Sequence, residues 1–256
     1  MRARLRAERL MWLMKIVIIS DIHSNLSALE SLPEHDYDQL WCIGDLVDYG
    51  PKPREVIRWI EDRATVIVCG NHDHAVGFNA DPRCSAPFQR LAAETRRFTQ
   101  DVCTQDDVQF LRRLPLHREL IVNSTSFYLV HAMPTDPLFG YCPENSERWQ
   151  TEIGWADADV LVVGHTHTPF IRKIGKTTIV NPGSVGQPKT GRPLACYALW
   201  EDGEISLKEY KYPLIDTIRE IRKMPISPDD QEALIVVLET GKRPGGDSRS
   251  EQAGAA

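Results

Sequence analysis

The stretch Lys15-Ile-Val-Ile-Ile-Ser-Asp-Ile-His-Ser-Asn25 decides how this chain is read. It begins with β-branched residues in a run too short for a helix. It then turns polar, with Asp21 and His23 two residues apart. A short apolar run that ends in a turn signal reads as a buried strand, here residues 15–20, with its polar residues at the carboxyl end.

The same phrase recurs down the chain. Residues 39–43 lead into Gly44, residues 65–69 into Gly70, residues 127–130 into His131, residues 160–163 into Gly164, and residues 178–180 into Asn181. Helical patterns lie between them, at 26–32 and at 53–62. The second has Pro53 in its first turn and Val56, Ile57 and Ile60 at helical spacing. Strands alternating with helices predict an α/β fold. Residues 195–200 and 205–210 are joined by a tight Glu201-Asp202-Gly203 turn and read as antiparallel, so the sheet is mixed. Residues 82–114 break the pattern. Phe88, Leu91, Ala92, Phe98, Val102, Phe110 and Leu111 are spaced to bury one face, which predicts a helical insert or cap.

Composition bounds the function. The chain has 256 residues, 42% hydrophobic, enough for one large domain or two small ones. A formal net charge of -6 gives no electrostatic footprint for nucleic acid or anionic lipid, and it suits carboxylates gathered around cations. No apolar run approaches the ~20 residues of a membrane span. The 6 cysteines show neither a C-x-x-C pair nor a disulfide framework, so a cytoplasmic location is expected. Residues 1–13 carry Arg2, Arg4, Arg6 and Arg9 but no small-residue cleavage site. They read as an extension, with Met14 an alternative start. Residues 241–256, rich in Gly, Ser and Gln, read as a disordered tail. One domain, residues 14–240, is left between them.

Side chains able to bind a cation cluster just after the strands: Asp21 and His23, Asp45 and Asp48, Asn71, His72 and Asp73, His131, then His165 and His167. In an open α/β sheet the carboxyl ends of the strands form a crevice, so these distant segments converge. Oxygen and imidazole donors without cysteine suit Mn, Fe, Co, Ni or Zn as a functional ion and argue against a structural zinc site. Each piece alone is weak, because Asp-x-His is common and a lone strand-end His is usually a hydrogen-bonded turn residue. The repeated placement carries the reading.

As a set, Asp21-x-His23, Gly44-Asp45-x-x-Asp48, Gly70-Asn71-His72-Asp73, His131 and Gly164-His165-x-His167 resemble the calcineurin-like metallophosphoesterase superfamily. The resemblance covers residues 15–187. The run Asn181-Pro-Gly-Ser-Val-Gly-Gln-Pro188 resembles its small bacterial and archaeal phosphodiesterase-like branch. What the resemblance implies is a four-layer αββα sandwich, two mixed β-sheets flanked by helices, holding two divalent ions. Asp21, His23 and His167 would bind the first ion, Asn71, His131 and His165 the second, and Asp45 would bridge them. The pair would make hydroxide available near neutral pH for attack on phosphorus. In the same resemblance His72 acts on the leaving-group oxygen as general acid, and Asp48 orients its ring. Asp73 braces the loop.

The pattern departs from the protein phosphatases and their dinucleotide-cleaving relatives at two places. Tyr49 stands where they carry a phosphate-gripping Arg, and Asp73 where they carry Glu. A planar cationic fork is missing at that point. The implied reaction is therefore hydrolysis of a phosphodiester or phosphoanhydride bond in a small molecule or nucleotide. The alternatives are a diadenosine polyphosphate hydrolase, a phosphomonoesterase or protein phosphatase, and a non-catalytic interaction module. The last would lack some of the residues that are all present here. Asn25 reads either as a helix N-cap or as a phosphate contact. Gly183 and Gly186 fit a turn that closes the site. Lys189 and Arg192 read as solvated charges, Trp149 and Trp155 as packing residues, and His74 as a loop residue.

Overall fold

The computed structural model describes residues 14–242, so the expectations for residues 1–13 and 243–256 lie outside the described residues. Its strands are β1 (Lys15–Ile19), β2 (Gln39–Cys42), β3 (Val66–Ile67), β4 (His117–Val122), β5 (Thr125–Val130), β6 (Val160–Val162), β7 (Phe170–Ile174), β8 (Thr177–Asn181), β9 (Ala195–Glu201) and β10 (Glu204–Tyr210). Its helices are α1 (Leu26–Glu30), α2 (Pro53–Arg63), α3 (Asn71–Phe78), α4 (Ala86–Val102), α5 (Gln105–Arg113), α6 (Trp149–Ala156), α7 (Leu214–Ile221) and α8 (Pro228–Thr240).

The alternation of side chains in β1 sets the layers. Val17 and Ile19 face one way and pack with Leu29 of α1 and with Val56, Ile57 and Ile60 of α2. Ile16 and Ile18 face the other way and pack with Trp41, Phe127, Leu129, Val162 and Trp200, between the two sheets. Successive strand residues point to opposite faces, so a continuous apolar run marks a strand buried on both sides. Phe127 meets Trp41 edge-on at 5.0 Å and Trp200 at 5.6 Å, tying the sheets together through their largest side chains. Such aromatic pairs add about 0.5–1.5 kcal/mol beyond their burial. On the far side of the second sheet, Tyr128, Val130, Leu161 and Ile179 pack on Trp149 and Ala156 of α6.

Each sheet has five strands, in the orders β10-β9-β1-β2-β3 and β4-β5-β6-β8-β7. In the first, β1, β2 and β3 run parallel and β9 and β10 antiparallel. In the second, β5, β6 and β8 are parallel, and the outer strands β4 and β7 pair antiparallel. The expected arrangement of two mixed sheets flanked by helices is what the chain adopts. Parallel strands at the centre of both sheets carry their carboxyl ends to one edge of the sandwich, and the loops there receive the candidate site.

Some elements differ from the sequence reading. Residues 65–69 supply only the two-residue strand β3, because the Cys69 N–H leaves the ladder and donates to the Pro115 carbonyl at 2.7 Å. Strands β4 and β7, both edge strands with exposed positions, and helices α3, α6, α7 and α8 were not anticipated. The segment 82–114 does carry two helices, α4 and α5. Phe88, Leu91 and Ala92 of α4 pack with Tyr49 and with Ile221, Leu234 and Leu238 of α7 and α8 in a separate cluster.

Candidate metal centre

Six of the residues singled out in the sequence share an unusual backbone. Asp21, His23, Asp45, Asp48, His165 and His167 all have φ between 46° and 67°, the left-handed region that non-glycine residues avoid. Each such residue costs about 1–3 kcal/mol and persists only where the surroundings over-determine it. Here they are over-determined by crossing main-chain bonds. Asp21 N–H donates to the Gly44 carbonyl at 3.0 Å, and the Ile22 and His23 N–H groups both reach the Asp45 carbonyl, at 2.8 and 3.0 Å. Gly70 fits because it lacks a side chain. A Cβ there would lie 2.0 Å from Asp45 Oδ1 and 2.3 Å from Asp45 N.

The loops aim donor atoms inward in a defined protonation state. His23 Nδ1–H donates to the Val47 carbonyl at 3.0 Å, His131 Nδ1–H to Ile43 at 2.7 Å, and His167 Nδ1–H to Gln187 at 2.7 Å. A ring that donates from Nδ1 presents a lone pair at Nε2 when neutral. The Asn71 amide is oriented in the same way, since its Nδ2–H donates to the Pro82 carbonyl at 2.7 Å and leaves Oδ1 facing the site. The carboxylates are each pinned by one oxygen. Asp21 Oδ2 accepts from the His165 N–H at 3.1 Å, and Asp45 Oδ1 accepts from the His72 N–H at 3.0 Å.

The free donor atoms form two groups. Asp21, His23, Asp45 and His167 make one, and Asp45, His131 and His165 the other, with the atoms in each within 4.8 Å of one another. Asp21 Oδ1 lies 3.1 Å from His167 Nε2. Asn71 Oδ1 lies 3.1 Å from both His131 Nε2 and His165 Nδ1, which places it in the second group. Asp45 belongs to both: its Oδ2 is 3.3 Å from His131 Nε2 and 3.7 Å from His23 Nε2. In the first group, lone pairs converging at such distances repel unless a positive charge lies among them; in the second, a protonated His131 supplies one when no metal does. The oxygen and nitrogen donors present fit two divalent ions sharing the Asp45 carboxylate.

Burial holds the pKa of His23 and His167 below the ordinary value and brings His165 down to about 3, so these rings stay neutral. At His131 burial acts the same way, but Asp45 and Asp21 outweigh it and raise the ring to about 9. His131 is thus the donor from which a metal ion would have to displace a proton.

His72 stands beside both groups. Its Nδ1 bonds Asp48 Oδ2 at 2.8 Å, both side chains being buried. Burial opposes charge on the ring, but Cys84, Asp45 and Asp48 together hold its pKa well above the ordinary value. Asp73 takes no part in this pair. Its carboxylate accepts N–H bonds from Asp45 (2.8 Å), Leu46 (2.8 Å) and Gly70 (3.0 Å), stitching the second and third loops together.

Three neighbours sharpen the reading. Tyr49, at the position of the missing Arg, is a buried ring packed edge-on against His23 at 4.8 Å and tilted against His72 at 4.9 Å. Cys84, which the sequence reading passed over, puts its Sγ 3.4 Å from His72 Nε2 and 3.4 Å from the Tyr49 hydroxyl. No spacing rule signals it, because it reaches the site only through the fold of residues 79–85. Asn25 is not placed to meet a phosphate. Its Oδ1 accepts from Ala28 N–H as a helix cap and from the Thr217 hydroxyl, and its Nδ2 donates to the Gly186 carbonyl and the Tyr212 hydroxyl. All its hydrogen-bonding capacity serves the fold. Gly186 does close the site, as a Cβ there would fall 1.6 Å from the Ile22 carbonyl oxygen. Trp149 is buried and Trp155 exposed, both on α6. Arg192 pairs with Glu209, and Lys189 Nζ lies over the Phe88 ring at 4.5 Å.

Residues 14–202 match the calcineurin-like phosphoesterase superfamily domain. The chain belongs to that superfamily. As a superfamily member it is a metal-dependent phosphoric ester hydrolase. It is 27% identical to the phosphodiesterase YfcE of Escherichia coli over 208 residues, covering 76% of this chain and 91% of YfcE. An uncharacterised protein of Methanocaldococcus jannaschii is 29% identical over 233 residues, covering 81% of this chain and 89% of its own. Among solved structures, a metallophosphoesterase from Sphaerobacter thermophilus superposes with a TM-score of 0.75 at 29% identity, over 90% of this chain and 99% of that one.

Proposed function

We propose that this phosphoesterase holds two divalent ions and hydrolyses a phosphodiester or phosphoanhydride bond in a small molecule or nucleotide. The observation that carries the reading is Asp45, whose Oδ2 faces His23 of one donor group and His131 of the other. In the proposed assignment Asp21, His23 and His167 hold the first ion, Asn71, His131 and His165 the second, and Asp45 both. Mn, Fe, Co, Ni and Zn all suit these donors. When bound, such a pair supplies Lewis acidity for the phosphoryl oxygens and a nucleophile from water at neutral pH.

The protein's own groups handle the leaving group. His72, kept protonated by Cys84, Asp45 and Asp48 against the cost of burial, delivers the Nε2 proton to the departing oxygen, and Asp48 fixes the ring from behind. The leaving oxygen takes the place at Nε2 that Cys84 Sγ occupies. The apolar ring of Tyr49 supports a substrate of low charge at the reacting phosphorus, because no cation stands there to grip a dianionic monoester. A diadenosine polyphosphate meets the same condition and is the second reading of the substrate.

The site is proposed to act in the cytoplasm. All six cysteines are free thiols, which a reducing compartment preserves. Among the described residues no helix is long and apolar enough to cross a membrane. The test loads purified protein with each metal in turn. Activated diesters, activated monoesters, cyclic nucleotides and dinucleoside polyphosphates are then compared. Turnover of diesters or anhydrides well above monoesters is expected, and inactivity on every substrate with every metal would sink the proposal. His72→Ala should slow poor leaving groups by about 10²–10⁴-fold and good ones far less. A uniform loss would remove His72 from the role of acid.

A further inference from the structure

The segment between α3 and α4, with Asn79 and Arg83 in the left-handed region, brings a guanidinium to the rim of the site. Pro82 and Cys84 both touch the site. The Pro82 carbonyl accepts from Asn71 Nδ2 at 2.7 Å, and Cys84 Sγ lies 3.4 Å from His72 Nε2. Arg83 sits between them with φ 54° and an exposed side chain, and its N–H is capped by Asp81 Oδ1 at 2.8 Å. A non-glycine residue in this region is strained, so the loop is not merely following its easiest course.

The Arg83 side chain crosses to the opposite wall. Its Cζ lies 4.3 Å from the centroid of the Phe139 ring, in the loop that follows β5. Two residues on, Tyr141 is 6.2 Å from the His165 ring, so this loop borders the second donor group. Stacking on Phe139 fixes the plane of the guanidinium while leaving its N–H edge for other partners. Among the described residues no carboxylate lies within ion-pairing distance of Arg83, so its charge is not committed to an ion pair as that of Arg54 or Arg192 is.

We propose that Arg83 binds a phosphoryl group carried by the leaving group, which makes phosphoanhydrides the substrate class. This rests on the proposed role of His72, whose Nε2 marks the leaving-group side. Arg83 adjoins Cys84, whose Sγ meets that Nε2, and its guanidinium reaches the Phe139 ring on the opposite wall. In this proposal the anion it meets belongs to the leaving group, beyond the bond that breaks. A planar fork held on an aromatic ring suits the paired oxygens of a second phosphate. Tyr49 and Arg83 then divide the specificity: no cation at the reacting centre, and one cation farther out.

The test uses metal-loaded protein, the non-hydrolysable methylene-bridged analogue of pyrophosphate as the pyrophosphate probe for binding, and an activated diester with an uncharged leaving group. Arg83→Ala should weaken pyrophosphate binding, measured by calorimetry, by about 10- to 100-fold. Arg83→Lys should fall between the two, since it keeps the charge and loses the fork. The KM for the diester should stay within about threefold of wild type, and the melting temperature without ligand should not move, as for other exposed substitutions. Unchanged pyrophosphate binding would overturn the proposal, and so would an equal loss on the diester. If the wild type cleaves no phosphoester yet binds pyrophosphate through Arg83, the subsite stands and the proposed activity falls. If it cleaves anhydrides as well without Arg83, the activity stands and the subsite falls.

Discussion

His23 Nε2 faces His167 Nε2 at 3.2 Å, although both rings already give their Nδ1 protons to main-chain carbonyls. Neither nitrogen has a proton to donate to the other while the rings are neutral, and burial keeps them neutral. A cation between them resolves the repulsion. Wild-type protein should therefore take up two equivalents of metal per chain, measured by elemental analysis after dialysis. Asp45→Asn, which weakens the carboxylate shared by both groups, should bind fewer than two. It should also lose most of the thermal stabilisation that metal gives, about 2.7 kcal/mol at a hundredfold excess over Kd. Full occupancy in that variant would rule out a bridging Asp45.

The repeated strand-then-ligand phrase made the α/β class and the clustered donors legible in the sequence, while the two-sheet sandwich came from the family resemblance of the motif set. A strand buried on both faces has to be apolar throughout, and donors repeated at the ends of several such strands point to one shared crevice, though no single Asp-x-His would. Edge strands β4 and β7 were hidden because exposed positions break their apolar runs. Helix α3 was hidden because its residues Asn71, His72 and Asp73 read as loop ligands while also forming its first turn. Cys84 and Arg83 were illegible for a different reason. They reach the site through tertiary placement of residues 79–85, and no periodicity encodes that.

Cys84 should be the most reactive of the six thiols. Burial opposes its ionisation, but His72 and the Tyr49 hydroxyl outweigh it and lower its pKa. Burial raises the other five, Cys103 and Cys196 to about 12. The thiolate is the reactive form, so limiting iodoacetamide at neutral pH should label Cys84 first. Peptide mass mapping reads the site of labelling. The added group would cover His72 Nε2 and suppress turnover, and Cys84→Ala should resist that loss. Prior labelling at Cys103, or inactivation of Cys84→Ala at the wild-type rate, would contradict this.

Asp73 accepts three main-chain N–H bonds, and burial with the charge of Asp45 pushes its carboxyl up to about 7. An amide in its place turns one acceptor into a donor aimed at an N–H. Asp73→Asn should cost about 1–3 kcal/mol of unfolding free energy. It should also weaken metal binding, because Asp45 N–H is one of the three donors. Denaturant melts with and without metal separate the two effects. A variant as stable as wild type would show that the stitch between the loops contributes nothing.

Stability on the acid side should depend on Asp107. Its Oδ2 accepts from the Thr104 N–H and hydroxyl at 2.7 Å each and from Arg54 Nε at 3.0 Å, closing the first turn of α5. Burial raises its pKa, but these partners outweigh it and leave the carboxyl below the unfolded value of 3.8. A group with a depressed folded pKa stabilises the protein above the unfolded pKa, and the effect is lost as pH falls through the folded one. Asp107→Asn should therefore cost about 1–2 kcal/mol at neutral pH, mostly from the helix cap, since the pair with the partly exposed Arg54 is screened. The gap between variant and wild type should close steadily below pH 3.8. Chemical denaturation across that range measures it, and a pH-independent gap would assign the effect to packing instead of charge.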